Sequence, residues 1–137
     1  YFKDVFPDGV KLAGNTGGLG KEVFTNAVKD ALVNRKGIGL AIGYVTSSHV
    51  VTMWGAEFDD EGYVSHIYIA DNNDRNQFEV WNVGCIRYEI VYVLTPEGAT
   101  STHYKNGYYD YEDRTSPINR MFTVSLGQEY WKEYLER

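Results

Sequence analysis

Residues 49–74 read HVVTMWGAEFDDEGYVSHIYIADNND, and this stretch decides the class of fold. It holds two runs rich in β-branched and aromatic residues, 50–58 and 63–70, on either side of the turn sequence DDEG at 59–62. Two such runs joined by a short polar turn are typical of an antiparallel β-hairpin. The stretch therefore predicts an antiparallel sheet in the middle of the chain.

The residues on both sides of the hairpin predict the rest of the fold. Apolar residues recur at helical spacing from Val23 onwards and Gly37 supplies a stop, so one main helix is expected over 21–36. A Gly-, Asn- and Pro-rich opening predicts mostly loop over 1–20. One helix followed by consecutive strands is typical of an α+β fold with an antiparallel sheet. Besides the hairpin, strands are expected over 38–45, 87–94, 100–104 and 121–126, which makes 38–126 mainly antiparallel strand, and a terminal helix over 128–137.

Composition and charge exclude several classes of protein. At 137 residues, with 43% hydrophobic and 23% charged residues, the chain fits one globular domain or a part of one. The formal net charge of -6 argues against a nucleic-acid partner, because proteins that bind nucleic acid usually carry a basic face. No apolar run approaches the ~20 residues that a membrane-spanning helix needs, so we expect no membrane partner.

The open end of the hairpin brings a histidine and an acidic cluster towards each other. With the turn at 59–62, the residue that faces His49 is expected within two positions of Asp71. Opposite residues on one face of a sheet have Cβ atoms ~4.5 to 5.5 Å apart, so a carboxylate there can accept a hydrogen bond from the imidazole. Such a carboxylate orients the ring, as in a nucleophile, base and orienter triad. From spacing alone, a histidine at the start of a strand is more often a surface or hydrogen-bonded residue, and an acidic run such as 71–74 is more often a polar loop.

Several segments of the chain carry a resemblance to a known family. The runs 49–59 (HVVTMWGAEFD) and 67–74 (IYIADNND) resemble the catalytic His and Asp strands of the streptococcal immunoglobulin G-degrading cysteine endopeptidases, the IdeS or Mac family. Residues 87–88 with the following strand resemble the next strand of that family, and 122–131 (FTVSLGQEYW) resemble its closing segment. The resemblance covers nearly the whole chain, but only the C-terminal part of the family's catalytic domain.

This resemblance implies the antiparallel β-sheet half of a papain-like cysteine peptidase fold, with residues 1–137 as the C-terminal portion of a single peptidase domain. It implies that His49 is the general base and Asp71 its orienting partner in a Cys-His-Asp triad. The family has a second acid two residues after the orienting Asp, where this chain has Asn73, with Asp74 one position further. We therefore expect Asn73 and Asp74 to have supporting roles in the site.

The nucleophile that the family implies does not occur where the resemblance would put it. In papain-like enzymes the Cys precedes the His, at the start of a helix whose dipole favours the thiolate. The single cysteine, Cys85, follows His49 and lies in an apolar strand context, where a buried inert thiol is expected. We therefore expect the nucleophile on a missing N-terminal part, and we expect this chain alone to be inactive.

Partners and location follow from the same resemblance. It implies a protein substrate such as an immunoglobulin, a Cys-bearing N-terminal half as the partner, a secreted or cell-surface location in a bacterium, and no cofactor. Another class of function stays open, in which the chain is a non-catalytic binding module that kept the fold and lost the nucleophile. A Cys-bearing segment upstream in the same reading frame would favour the peptidase.

Three polar patterns in the chain do not match the residue spacing of other ligand-binding motifs. The glycine-rich run 14–21 lacks the spacing of a phosphate-binding loop. The run 71–76 has oxygen ligands but not the Gly and Glu positions of an EF-hand calcium loop. His66 and His103 have no paired ligand spacing, so we expect no metal, and we expect both rings to be at the surface or hydrogen-bonded.

Two aromatic features give less specific predictions. Trp54 comes five residues after His49, which puts it on the other face of a regular strand, and we expect it to pack in the core. The tyrosine-rich segment 108–111 is expected to be either a contact surface or a partly packed loop.

Overall fold

The computed structural model describes residues 10–13, 18–43, 48–70, 85–105 and 115–137. Two helices occur within these ranges, α1 (Lys21–Val33) and α2 (Gln128–Leu135). The strands of the described ranges are β1 (Val10–Ala13), β2 (Gly37–Gly43), β3 (Ser48–Phe58), β4 (Val64–Ala70), β5 (Ile86–Leu94), β6 (Thr100–Lys105) and β7 (Thr115–Val124).

The strands form an antiparallel barrel. Neighbouring strands follow the order β1-β7-β2-β3-β4-β5-β6, and every pair is antiparallel. The first residues of β7 also pair with β6, so β2 to β7 close on themselves, which leaves few unpaired sheet edges. The predicted α+β class with an antiparallel sheet is confirmed, and the closure of the sheet is an additional finding.

The barrel interior is the hydrophobic core. Side chains alternate between the two faces of each strand, and the inward residues Leu40 and Ile42 of β2 are fully buried. One face of α1 packs against the core through Phe24, Val28 and Ala31, which are also fully buried. Burial of a side chain the size of Phe or Val contributes roughly 1.5 to 3 kcal/mol, so α1 is held mainly by this face.

The observed elements begin and end near the predicted positions, with three differences. The helix ends at Val33, because Arg35 adopts a left-handed φ of 54° and the Lys36 N–H donates to the Ala31 carbonyl at 2.8 Å. The last strand, β7, begins well before the predicted residue 121. The first strand, β1, lies inside the opening that was expected to be mostly loop, and its pairing with β7 is a long-range contact that local composition does not reveal.

The seam between β6 and β7 is completed by the segment that precedes α1. The two strands pair directly only at positions 103–105 of β6. Further along, the Leu19 N–H donates to the Ile118 carbonyl and the Thr102 N–H donates to the Leu19 carbonyl, both at 2.8 Å. Leu19 therefore links the two strands as a single extended residue, and its own side chain is buried.

The central hairpin has the predicted turn. The Asp59 carboxylate accepts hydrogen bonds from the N–H groups of Glu61 and Tyr63 at 3.0 and 2.9 Å. Gly62 supplies the left-handed φ of 84° that the turn requires.

The two strands of the hairpin contain compensating bulges. The pairs Met53↔Ile69 and Gly55↔Tyr68 leave Trp54 as an extra residue on β3, and a second shift leaves Ser65 extra on β4. Because one extra residue lies on each strand, the register shifts at the first bulge and returns at the second. The open end of the hairpin therefore has the register that the turn alone would set.

Candidate active site

His49 lies near the start of β3, at the open end of the hairpin. Its backbone pairs with Ile42 of β2, and its side chain is half-buried. Strand alternation puts His49 on the same face as Val51 and Met53, and both of these side chains are buried in the core. His49 therefore stands where the core face of β3 reaches the end of the barrel.

The neighbouring strand β4 runs towards the same end. Its last described pairs with β3 are Met53↔Ile69 and then Thr52↔Ala70. The described pairing thus reaches the residue immediately before Asp71. The predicted site residues at 71, 73 and 74 all lie outside the described residues.

Cys85 comes directly before β5 and is half-buried. Burial raises the pKa of its thiol above the ordinary value, because removing water disfavours the charged thiolate. The protonated thiol is a weak nucleophile. This environment agrees with the interpretation of Cys85 as an inert residue.

A polar cluster on the solvent side of the hairpin was not predicted. Arg87 of β5 donates to the Glu57 carboxylate of β3 from Nε to Oε1 at 2.8 Å and from Nη2 to Oε2 at 2.6 Å. The Tyr68 hydroxyl also donates to Oε1, and His66 Nδ1 lies 3.4 Å from Oε2. The hydrogen bonds from Arg87 and then Tyr68 lower the pKa of Glu57 to about 2. The cluster ties three neighbouring strands together across the outside of the barrel.

A second histidine lies at the barrel seam. His103 Nε2 is 3.0 Å from Ser101 Oγ, and His103 Nδ1 is 2.9 Å from Thr115 Oγ1 of β7. Burial lowers the pKa of His103, because it disfavours the imidazolium. The prediction that His66 and His103 are surface or hydrogen-bonded residues is confirmed by these contacts. Ser101 and His103 share one strand face in the sequence, whereas Thr115 becomes a partner only through the register of β6 and β7.

The prediction that Trp54 packs in the core is wrong. The residue does lie on the face away from Val51 and Met53, but that face is the solvent side of the barrel, and Trp54 is 69% exposed. Alternation along a strand separates two faces without telling which of them is covered.

The described part of the chain offers no group of three or more His, Cys, Asp or Glu that could hold a metal ion. None of the helices in the described ranges is long and apolar enough to cross a membrane. The tyrosine-rich segment 108–111, the run 71–76 and the glycines at 14 and 17 fall outside the described residues.

Comparison with known proteins agrees with the family resemblance of the sequence. The family model described as Mac 1 matches residues 1–131, which include α1 and the seven strands of the described ranges. An IgM protease of Streptococcus suis (strain P1/7) is 30% identical over 137 aligned residues, which cover 98% of this chain. This chain spans 11% of the length of that relative. The family resemblance of the hairpin sequence is thereby confirmed, and the chain belongs to the Mac 1 family of cysteine peptidases.

Proposed function

We propose that this chain supplies His49 and Asp71 to the Cys-His-Asp triad of a cysteine endopeptidase that hydrolyses peptide bonds in a protein substrate. The nucleophilic Cys belongs to a part of the parent protein outside this chain. Residues 1–137 are then the C-terminal portion of one peptidase domain. By itself the chain is inactive, because its cysteine in the described residues, Cys85, is half-buried and burial raises the pKa of its thiol.

The observation that carries this proposal is the register of β3 and β4. Met53 pairs with Ile69, and both side chains are buried on the core face. Position 49 has the same alternation as Met53, and position 71 has the same alternation as Ile69. If both strands continue, His49 and Asp71 are diagonal neighbours on one face, which lie roughly 7 to 8 Å apart between Cα atoms and within reach of their side chains.

A histidine in this position has two chemical tasks. As a general base, His49 takes the proton of the cysteine thiol, and as a general acid it returns a proton to the leaving amine. The His49 side chain is half-buried. Asp71 accepts a hydrogen bond from the other ring nitrogen and stabilises the imidazolium. No step of this sequence requires a metal or a cofactor.

Asn73 and Asp74 have supporting roles in this proposal. If the register of the last described pairs continued, position 73 would fall opposite position 49. The amide of Asn73 is uncharged and can donate or accept a hydrogen bond, whereas a carboxylate there would favour the imidazolium more strongly. Asp74, on the alternate face of a regular strand, contributes only through its charge.

An immunoglobulin is the proposed substrate, because the relative from Streptococcus suis is described as an IgM protease. Cleavage of such a substrate takes place outside the cell, so we propose a secreted or cell-surface protein of a bacterium. The Cys-bearing N-terminal half of the same peptidase is the proposed partner.

The test uses the full-length protein that contains this chain, with purified IgM and IgG as substrates. His49→Ala should reduce the cleavage rate by ~10²- to 10⁴-fold, because the general base is lost. Asp71→Asn should reduce the rate less, and His66→Gln, a histidine of the same hairpin, should leave it unchanged. A thiol-directed inhibitor should abolish cleavage by the wild-type protein.

Retained activity in a folded His49→Ala variant would remove the peptidase role of this residue. A wild-type protein that binds immunoglobulin without cleaving it, and that carries no Cys-bearing segment, would instead support the non-catalytic binding module. Circular dichroism of each variant separates a loss of chemistry from a loss of fold.

A further inference from the structure

The pairing of β7 with β2 contains a bulge. The pairs are regular as far as Ala41↔Arg120, and the next pair is Ile42↔Ile118, so Asn119 is an extra residue on β7. Bulges are over-represented next to active sites, where they re-aim a side chain. The side chains around this bulge therefore decide what lines this end of the barrel.

The bulge keeps an amide off the inward face of β7. Met121, which pairs with Leu40, is fully buried, and in a regular strand the next inward residue would be Asn119. The extra residue instead brings Ile118 to the inward face, where it is also fully buried. The Asn119 amide lies over Gly43 on the outward face, since a Cβ atom on Gly43 would be 2.3 Å from the amide nitrogen Nδ2. The inward face of β7 is therefore apolar at this position.

Ile42 lies between Ile118 and His49 in a row across three strands. It pairs with Ile118 of β7 on one side and with His49 of β3 on the other. Directly opposite residues share one face of a sheet and have Cβ atoms ~4.5 to 5.5 Å apart, so the imidazole stands beside the Ile42 side chain. Ile42 is fully buried, whereas His49 is half-buried. Ile42 therefore forms an apolar wall along one side of the ring.

This wall is fixed by its own chemistry and by its neighbours. An isoleucine is branched at Cβ, which restricts its χ1 angle strongly. Behind Ile42, the carbonyl of Ile118 accepts a hydrogen bond from the N–H of Leu19 at 2.8 Å, and the side chain of Leu19 is buried as well. A ring beside a fixed wall has fewer orientations than a ring beside water. General-base catalysis needs the ring in the orientation that faces the thiol.

From these observations we infer that Ile42 is a positioning residue for His49, and that the bulge at Asn119 serves this role by placing Ile118 behind Ile42. This inference rests on the proposed function. Because Ile42 is fully buried, it acts through the orientation of the imidazole and not through contact with the substrate. Loss of the wall should therefore slow the chemical step and leave the binding of the substrate unchanged.

The test measures kcat and KM for purified IgM with the full-length protein. Ile42→Ala should lower kcat by ~10- to 100-fold and keep KM within about twofold, because a small misplacement of a catalytic group has an effect of this size. Ile42→Val keeps the branch at Cβ and should retain about half of the wild-type kcat or more. Ile38→Ala is the matched control, because Ile38 is buried on the same face of the same strand but pairs with Met53 instead of His49. The folded Ile38→Ala protein should keep the wild-type kcat.

A second measurement does not depend on the substrate. Iodoacetamide alkylates the nucleophilic cysteine as its thiolate, which is favoured by an imidazole that faces it. The rate of alkylation should fall in Ile42→Ala and should stay at the wild-type value in Ile38→Ala. Ile42→Leu serves where Ile42→Ala does not fold, because it conserves the volume of the side chain and moves the branch away from Cβ. Its kcat should fall by about threefold or more, and Ile38→Leu is the control.

Two results would overturn the inference. One is an unchanged kcat in a folded Ile42→Ala or Ile42→Leu variant. The other is an equal fall of kcat in the Ile38 variants, because the effect would then belong to core packing in general. The His49→Ala variant reports on the proposed function separately. If it loses cleavage while the Ile42 variants keep their kcat, the inference alone fails, and if it retains cleavage, both fail.

Discussion

Arg87 donates two parallel hydrogen bonds to the carboxylate of Glu57 from two strands away, at 2.8 and 2.6 Å. The intervening strand contributes the Tyr68 hydroxyl to the same carboxylate. These contacts lie on the short paired stretch between the two bulges of the hairpin, where Gly55, Ala56 and Glu57 pair with Tyr68, Ile67 and His66. The side-chain cluster therefore links three strands next to the points where the bulges interrupt the ladder.

The first prediction concerns the acid stability of this cluster. The pKa of Glu57 is about 2 in the folded chain against an ordinary 4.5, so the stabilisation is present above pH 4.5 and is lost as the pH falls towards 2. Glu57→Gln should lower the urea midpoint at pH 6 and should differ less and less from wild type as the pH approaches 2. Urea titrations at several pH values measure this convergence.

Glu89→Gln is the matched control for this series. Glu89 accepts one hydrogen bond from Lys105 at 2.6 Å, which lowers its pKa. Glu89→Gln should change the urea midpoint less than Glu57→Gln does over the same range of pH. A constant difference between Glu57→Gln and wild type at all pH values would contradict the role of the ionised carboxylate.

The second prediction concerns His103 at the barrel seam. Burial lowers the pKa of His103 below its ordinary value of 6.5 in the folded chain. Protonation therefore favours the unfolded chain, and the contribution of His103 to stability is full above pH 6.5 and falls as the pH drops below it. His103→Gln should flatten the pH dependence of the unfolding free energy between pH 7 and pH 5.

Thr115→Val provides the comparison for His103. This variant removes the hydroxyl that lies 2.9 Å from Nδ1 of His103 and keeps the titrating ring. The unfolding free energy should therefore fall by about 1 kcal/mol, while its dependence on pH remains. A slope that disappears in Thr115→Val but persists in His103→Gln would assign the pH dependence to another group.

The sequence predicts the local parts of this fold and misses those that depend on closure. The helix over 21–36 and the hairpin turn at 59–62 rest on neighbouring residues, and both occur close to their predicted positions. The link made by Leu19 depends on strands that are distant in the sequence, so no local pattern predicts it. The exposure of Trp54 depends on which face of β3 the barrel covers, and alternation along the strand does not show that.

The candidate site also has parts that the sequence predicts and parts that depend on strand pairing. The sequence identifies His49 by its resemblance to a family motif, and the structure puts it at the open end of the predicted hairpin. The Glu57 and His103 clusters escaped prediction, because each of them joins residues on separate strands. Cross-strand partners can be predicted only after the register is known, and the two bulges of the hairpin shift the register around Glu57 by one residue.

The third prediction tests the packing of α1. Phe24 is completely buried against the barrel, so Phe24→Ala should cost ~3 to 5 kcal/mol through lost burial and the cavity that remains. Val33, at the end of the same helix, is 80% exposed, and Val33→Ala should change stability by about 0.5 kcal/mol or less. Chemical denaturation monitored by circular dichroism gives both values. Similar costs for the two variants would mean that α1 does not pack through this face.

The fourth prediction concerns Gly18 at the seam. A Cβ atom on Gly18 would lie 2.4 Å from Ser101 Oγ and 3.0 Å from the Thr102 carbonyl oxygen. Gly18→Ala should therefore cost ~1 to 3 kcal/mol, because either the backbone or the bond between Ser101 and His103 must shift. The control is Gly55→Ala, whose Cβ would meet only Tyr68 Cδ2 at 3.7 Å and should be tolerated. Thermal unfolding compares the two, and equal stability would show that the seam adapts freely.

The last prediction is that Cys85 is not the nucleophile. Its thiol has a raised pKa because of burial, so it is a protonated and weakly reactive group at neutral pH. Cys85→Ser in the full-length protein should retain cleavage of IgM within about twofold, and iodoacetamide should still inactivate the variant at the wild-type rate. Loss of cleavage in a variant that still folds would make Cys85 part of the reaction. It would also remove the need for a nucleophile outside this chain, because His49 would then act on a thiol of its own barrel.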